Sequence, residues 1–169
     1  MFKKKYTCLM FGEGRNDKDF IYALSELEKF KFHTKSWRFT YGNAHGGSAY
    51  DVLNLCKSER TGAEDFVLCF IDLDDLKHDY SQTWEVEKQK LENDSIKHGV
   101  MIIWFLDKLE EELRRVLGEE YKDHSAVSEA KKSTDKFINS NLWKRILNPI
   151  KECEDYLESL EQEKNESVY

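Results

Sequence analysis

The chain holds a single proline in 169 residues, and its longest unbroken apolar run, VMIIWFL from Val100 to Leu106, is seven residues long. A helix that crosses a bilayer needs about 20 apolar residues, so no membrane span and no membrane partner are expected. The opening MFKKKYTCLM has lysines but lacks the apolar stretch and small-residue cleavage site of a secretory signal, and a cytoplasmic location is the expectation. Cysteine pairs are missing too. Cys8, Cys56, Cys69 and Cys153 are far apart and match neither a zinc-site spacing nor a disulfide framework. Cys8 and Cys69 fall in strand-like apolar runs, where a thiol serves as a small buried hydrophobe. An excess of positive charge is also lacking: the net charge is −7, which argues against broad attraction to nucleic acid. Its distribution alters that reading. Glu152 to Glu166 alone contributes −6, leaving the rest of the chain near neutral, with room for a local basic surface among Lys3, Lys4, Lys5, Arg15, Lys18, Lys29, Lys31, Lys35 and Arg38.

With 40% apolar residues and 13% aromatics, the chain can bury a real core. YTCLMF reads as a strand, and DKDFIYALSELEKF as one amphipathic helix with Phe20, Ala23, Leu24, Leu27 and Phe30 on a stripe and Asp17 as its cap. KSWRFTY alternates Trp37, Phe39 and Tyr41 on one strand face. AYDVLNLCKSE is helical, FVLCFI is a strand covered on both faces, and the loop after DLDD leads to a helix over SQTWEVEKQKLEND. GVMIIWF is a fourth strand. This alternation predicts an α/β fold, a mostly parallel four-stranded sheet with helices on both faces. Beyond Leu106 the pattern is helical to the end, punctuated by Gly118 and Pro149. Ile150, Cys153, Leu157 and Leu160 form a seam, which fits packing against the protein's own sheet better than a dimer coil.

Two stretches carry chemistry. LMFGEGRNDKDF places Glu13 directly after the first strand, and FVLCFIDLDD places Asp72 and Asp74 directly after the third. Parallel strands end on one edge, so these carboxylates can converge. Asp72 and Asp74, two apart, point to the same side of an extended segment, with Asp75 turned elsewhere unless the strand has already ended. Carboxylates in a small volume repel unless a cation neutralises them, and an oxygen-only set without a histidine or cysteine cluster selects Mg²⁺ or Mn²⁺. Gly12 and Gly14 let the backbone approach a phosphate, the helix start near Asp17 offers unpaired N–H groups, and Arg15 is placed to contact the same anion.

GEGRNDKDF followed by FIDLDD resembles the Toprim superfamily, whose pattern is a glutamate in an E-G turn after strand one and a D-x-D after strand three. Asp17 and Phe20 fit the frequent extension of the first motif. HGGSAYDVL, with Gly46, Gly47 and Ser48, looks like the glycine-containing turn of the nuclease-like branch. The resemblance covers residues 5 to 106. It implies a Toprim-like catalytic domain over 1–106, with 107–169 a helical extension packed on it. It further implies a Mg²⁺ (or Mn²⁺) site of Asp72 and Asp74 with Glu13 as ligand or general acid/base, and Gly12, Gly14, Arg15, Asp17, Gly46, Gly47 and Ser48 as phosphate-binding residues. Asp75 is a further candidate ligand. The implied activity is phosphodiester cleavage of nucleic acid, DNA ahead of RNA. No primase, strand-passage or ATPase module accompanies the motifs, so the expectation is a small nuclease or a subunit working with another chain.

The alternative is a non-catalytic scaffold that binds a protein partner, or a second copy, through its C-terminal helices. A receiver-like phosphoacceptor domain would need an acidic pair after the first strand, where only Glu13 stands. Glu110 and Glu111 fit a solvated helix face better than a metal shell, while His45 and His78 are secondary candidates near the expected phosphate path.

Overall fold

The structure, a computed structural model, describes residues 3–168. Four strands, β1 (Tyr6–Gly12), β2 (Trp37–Asn43), β3 (Phe66–Asp72) and β4 (Met101–Phe105), form one all-parallel sheet in the order β2-β1-β3-β4. Among the described residues the helices are α1 (Arg15–Ser25), α2 (Glu28–His33), α3 (Ala49–Glu59), α4 (Leu73–Asp79), α5 (Trp84–Lys97), α6 (Leu109–Leu117), α7 (Asp123–Lys132) and α8 (Asn141–Glu166), with a 3-10 turn at Thr134–Phe137. The expected α/β architecture is present, and none of these helices is long and apolar enough to cross a membrane.

Strand side chains alternate in direction, so each central strand feeds two cores. Cys8, Met10, Leu68, Phe70, Ile103 and Phe105 pack on one face with residues of α1, α6, α7 and α8. Leu9, Phe11, Val67, Cys69, Ile71, Ile102 and Trp104 pack on the other with α3, α4 and α5. This double burial is why FVLCFI reads as an unbroken apolar run. Trp37 is fully buried in the first core, with Phe39 and Tyr41 packed against it, as the alternation in β2 predicts. The seam on α8 lies on the same core through Ile150, Cys153 and Leu157.

Two local readings change. The helix expected across Asp17–Phe30 breaks at Leu27, whose ψ of 138° is extended. Ser25 is one cause, since its hydroxyl donates back to the Tyr22 carbonyl, a side-chain bond that competes with helix continuation. The break turns Phe30 inward, edge-on to Trp143 and Phe39. The loop expected directly after DLDD is instead helical to Asp79, because α4 starts at Leu73 and buries Leu73 and Leu76. The run NLWKRILNPIKECEDYLESLEQEK is one helix, as its pattern predicts, and Pro149 does not break it. It sits inside the 26 residues of α8, between the buried Leu147 and Ile150, whose packing offsets the hydrogen bond that proline removes.

Strand β4 is an edge strand, and side chains finish it. The Trp104 carbonyl accepts from Arg145 Nη1 at 2.5 Å, and the Leu106 N–H donates to Glu112 Oε1 at 2.7 Å. Arg145 also pairs with the buried Glu112. These bonds stand where a neighbouring strand would have supplied main-chain partners.

Candidate metal centre

The order β2-β1-β3-β4 places the two motif-bearing strands side by side in the middle of the sheet. The chain leaves β1 toward β2 on one side and reaches β3 on the other, so the carboxyl ends of β1 and β3 flank a topological switch point, where parallel sheets open a crevice. Glu13 lies just past the end of β1, and Asp72 is the last residue of β3. The Asp72 N–H donates to Glu13 Oε2 at 3.4 Å.

The helix at Leu73 decides which aspartate joins them. Asp72 is the N-cap of α4 and Asp75 its third residue, and three steps along a helix return a side chain to the same side. Glu13, Asp72 and Asp75 each bring one carboxylate oxygen within 4.8 Å of the others. Asp74, expected beside Asp72 on an extended segment, is outside this group. Its N–H donates to the Asp107 carbonyl at 2.7 Å, while its Oδ1 is buried without a hydrogen-bond partner. The same D-x-D-D letters therefore give a different pair once the strand ends at its first aspartate.

Crowding shows in the acid strengths. Burial, a hydrogen bond with Asp75 and the Asp72 charge hold the Glu13 carboxyl well above its ordinary range. Burial first, then the charges of Asp17, Glu110 and Asp74, push Asp72 up to about 8, against the pull of the Leu109 N–H. Asp17 is pushed up to about 6, chiefly by burial. Asp74 is raised by burial and by Asp75. Charge at this end of the sheet is thus incompletely neutralised by the protein itself.

The remaining expected residues fall into place unevenly. Gly14, not Asp17, is the N-cap of α1, and its N–H donates to Asp17 Oδ2 at 2.8 Å. Asp17 thus supplies the acidic half of a capping box, with no side chain on Gly14 to return the bond. A Cβ on Gly12 would lie 2.8 Å from that of Asp17, so the missing side chain admits the start of α1 rather than leaving space for a ligand. Arg15 is on the surface near Asp19, with its side chain 87% exposed. The loop of Gly46 and Gly47 reaches the site through a Gly46 N–H bond to the Glu13 carbonyl at 3.0 Å, and both glycines have positive φ. Ser48 caps α3, accepting from the Asp51 N–H. His45 borders the shallow cavity beside this loop, and the His78 ring faces solvent next to Asp79.

Glu110 belongs to the site's acidic surroundings, since its charge acts on both Asp17 and Asp72. Glu111, by contrast, pairs with Arg114. A feature without any sequence signal is the bond from the Leu109 N–H to Asp72 Oδ1 at 3.1 Å. Lys108, the N-cap of α6, gives no side-chain cap, so a carboxylate from another strand satisfies one of the unpaired donors of that helix.

No protein-family model and no curated protein matches the sequence. Among solved structures, the C-terminal region of the OLD protein of Xanthomonas campestris pv. campestris aligns with 85% of this chain and 79% of that one, at 12% identity and a TM-score of 0.32.

Proposed function

We propose that Glu13, Asp72 and Asp75 hold a Mg²⁺ or Mn²⁺ ion and that the chain is a small Toprim-type nuclease cleaving phosphodiester bonds in nucleic acid. The observation that carries this reading is the meeting of three carboxylate oxygens within 4.8 Å at the ends of two central strands. The donor set fits the ion. It is oxygen-only, it is crowded enough that burial and neighbouring acids raise both Glu13 and Asp72, and hard divalent ions favour such ligands.

Held by these three carboxylates, a divalent ion would supply charge neutralisation at phosphate oxygens and orientation of the attacking group. The protein's own part is placement. Asp72 is held through Oδ1 by the Leu109 N–H, which leaves its other oxygen for the ion. Glu13, tied to the Asp72 N–H, is the group positioned to accept a proton beside the scissile phosphate. Gly46 and Gly47 border the approach, and the exposed Arg15 is available to a backbone phosphate. DNA is the substrate favoured over RNA, by the motif resemblance.

The test is Mn²⁺ titration calorimetry on the wild type and on Asp72→Asn/Asp75→Asn, with a plasmid-nicking assay on the same samples. Binding and nicking that disappear together in the variant support the reading. A wild type that binds no divalent ion, with or without DNA, removes it. A second reading has one observation behind it: between Glu152 and Glu166, α8 carries seven acids and one lysine, and most of these residues are exposed. On that reading the chain is a non-catalytic scaffold whose acidic helix meets a basic partner, and metal binding would be dispensable.

A further inference from the structure

The turn that joins β4 to α6 clasps the end of β3 at two points. Asp107 accepts the Asp74 N–H at its carbonyl, and two residues later the Leu109 N–H reaches the Asp72 carboxylate. Between these contacts the backbone takes an unusual path. Asp107 has φ 66°, the left-handed region, and Lys108 is extended at φ −144° and ψ 168° before α6 begins. Outside glycine, aspartate and asparagine tolerate that region best, and β-branched residues worst. The Asp107 side chain is anchored outward, 3.5 Å from Lys77 Nζ and 3.0 Å from Arg115 Nη2. The turn is further pinned at Leu106, whose N–H is held by Glu112.

We infer that Asp107 is a positioning residue for the acidic site: its left-handed backbone forms the clasp that fixes the Asp72 carboxylate. The inference rests on the metal-centre reading for its consequence, though not for the clasp itself. Asp107 touches neither ion nor substrate. It acts through Leu109, because with this backbone the first free N–H of α6 meets Asp72 Oδ1 and holds that side chain in one orientation. Without it, Asp72 is free to rotate among the neighbouring like charges. Asp74, bonded by its backbone to the same residue, keeps the start of α4 in register, and with it Asp75.

The experiment separates the backbone from the carboxylate. Asp107→Gly and Asp107→Val both delete the ion pairs to Lys77 and Arg115, but only glycine accepts the positive φ freely. Asp107→Asn also tolerates that backbone and serves as the conservative rescue. Mn²⁺ affinity by calorimetry is expected to stay near wild type in the glycine and asparagine variants and to weaken about tenfold or more in the valine variant. In metal-free protein, amide exchange at Asp74 and Leu109 should remain slow in the first two and become fast in the third. Should the valine variant fail to fold, Asp107→Ala, which adds only a Cβ, takes its place and should fall between. Equal affinity and equal protection in the glycine and valine variants would overturn the inference. A glycine variant as weak as valine would overturn it as well, because the ion pairs would then do the positioning. If the wild type binds no Mn²⁺, the metal reading fails on its own, and the exchange of the two amides still decides whether Asp107 forms the clasp.

Discussion

Gly12 and Asp17 fit against each other so closely that a Cβ added to Gly12 would stand 2.8 Å from the Asp17 Cβ and 3.2 Å from the Lys18 backbone nitrogen. Both obstacles belong to the first turn of α1, which cannot yield like the tip of a flexible side chain. Gly12→Ala is therefore expected to push the helix start off the strand end, at a cost of about 1–3 kcal/mol. Thermal unfolding measures the loss. Since Glu13 is the next residue, Mn²⁺ affinity should fall in the same variant.

The aspartates after β3 should separate in their effects. Asp75→Asn removes one of the three converging oxygens and is expected to abolish or severely weaken Mn²⁺ binding, with little loss of stability in metal-free buffer. Asp74→Asn changes a side chain whose Oδ1 already lacks a partner and whose N–H remains bonded to Asp107, so its effect on the ion should be the smaller. Calorimetry on the two variants side by side reads this directly, and the reverse order would mean that α4 begins later than Leu73 in the ion-bound protein.

Stability should depend on pH in opposite ways with and without a divalent ion. Glu13, Asp17 and Asp72 have raised values in the folded chain, so the folded state binds more protons than the unfolded one above the ordinary carboxylate range near pH 4. The contribution of these groups to the stability of the metal-free protein is therefore greatest in mild acid and falls as pH rises from about 4 through about 9, as Asp17, then Asp72, then Glu13 lose their protons. With saturating Mn²⁺ the decline should flatten or reverse, and binding near pH 6 should release protons. Melting curves in chelator and in Mn²⁺, and binding enthalpies in buffers of different ionisation enthalpy, check both points.

Arg145 and Glu112 tie α8 to the edge of the sheet. Arg145→Met leaves Glu112, 4% exposed, with only the more distant Arg115, 3.8 Å away, for a cation, and the Trp104 carbonyl without its donor. The expected loss is about 3 kcal/mol, the low end for a broken buried pair. The double variant Glu112→Gln/Arg145→Met should recover part of it, since no buried charge is then left alone. Denaturant unfolding of the two variants gives the comparison.

Much of the architecture was legible because burial leaves a period in the sequence. Continuous apolar residues in β3, alternation in β2 and the stripe on α1 each led to an element of the right type. The convergence of Glu13 with Asp72 was equally readable, since both follow strands of one parallel sheet. Where elements stop leaves no such trace. Asp72 and Asp74 look paired only if β3 runs on, and no residue in IDLDD announces that the helix starts at Leu73. Pro149 punctuates a run that is helical on both sides of it, and the packing of Leu147 and Ile150 that outweighs its local cost is not visible in sequence. Glu110 stays outside the three converging carboxylates, and its effect on Asp17 and Asp72 is one of charge, set by how α6 meets the end of β3.

Strands β1 and β3 contribute residues to both cores, while the 43–48 loop and α6, which border the acidic end, hang from β2 and β4 at the two margins of the sheet. The carboxylates are therefore inherited with the centre of the fold, and the walls around them with its periphery. A lineage carrying this chain could lengthen the 43–48 loop without touching the strands that deliver Glu13 and Asp72 or the turn before α6 that holds Asp72, so that the acidic end is kept while the surface beside it is free to drift.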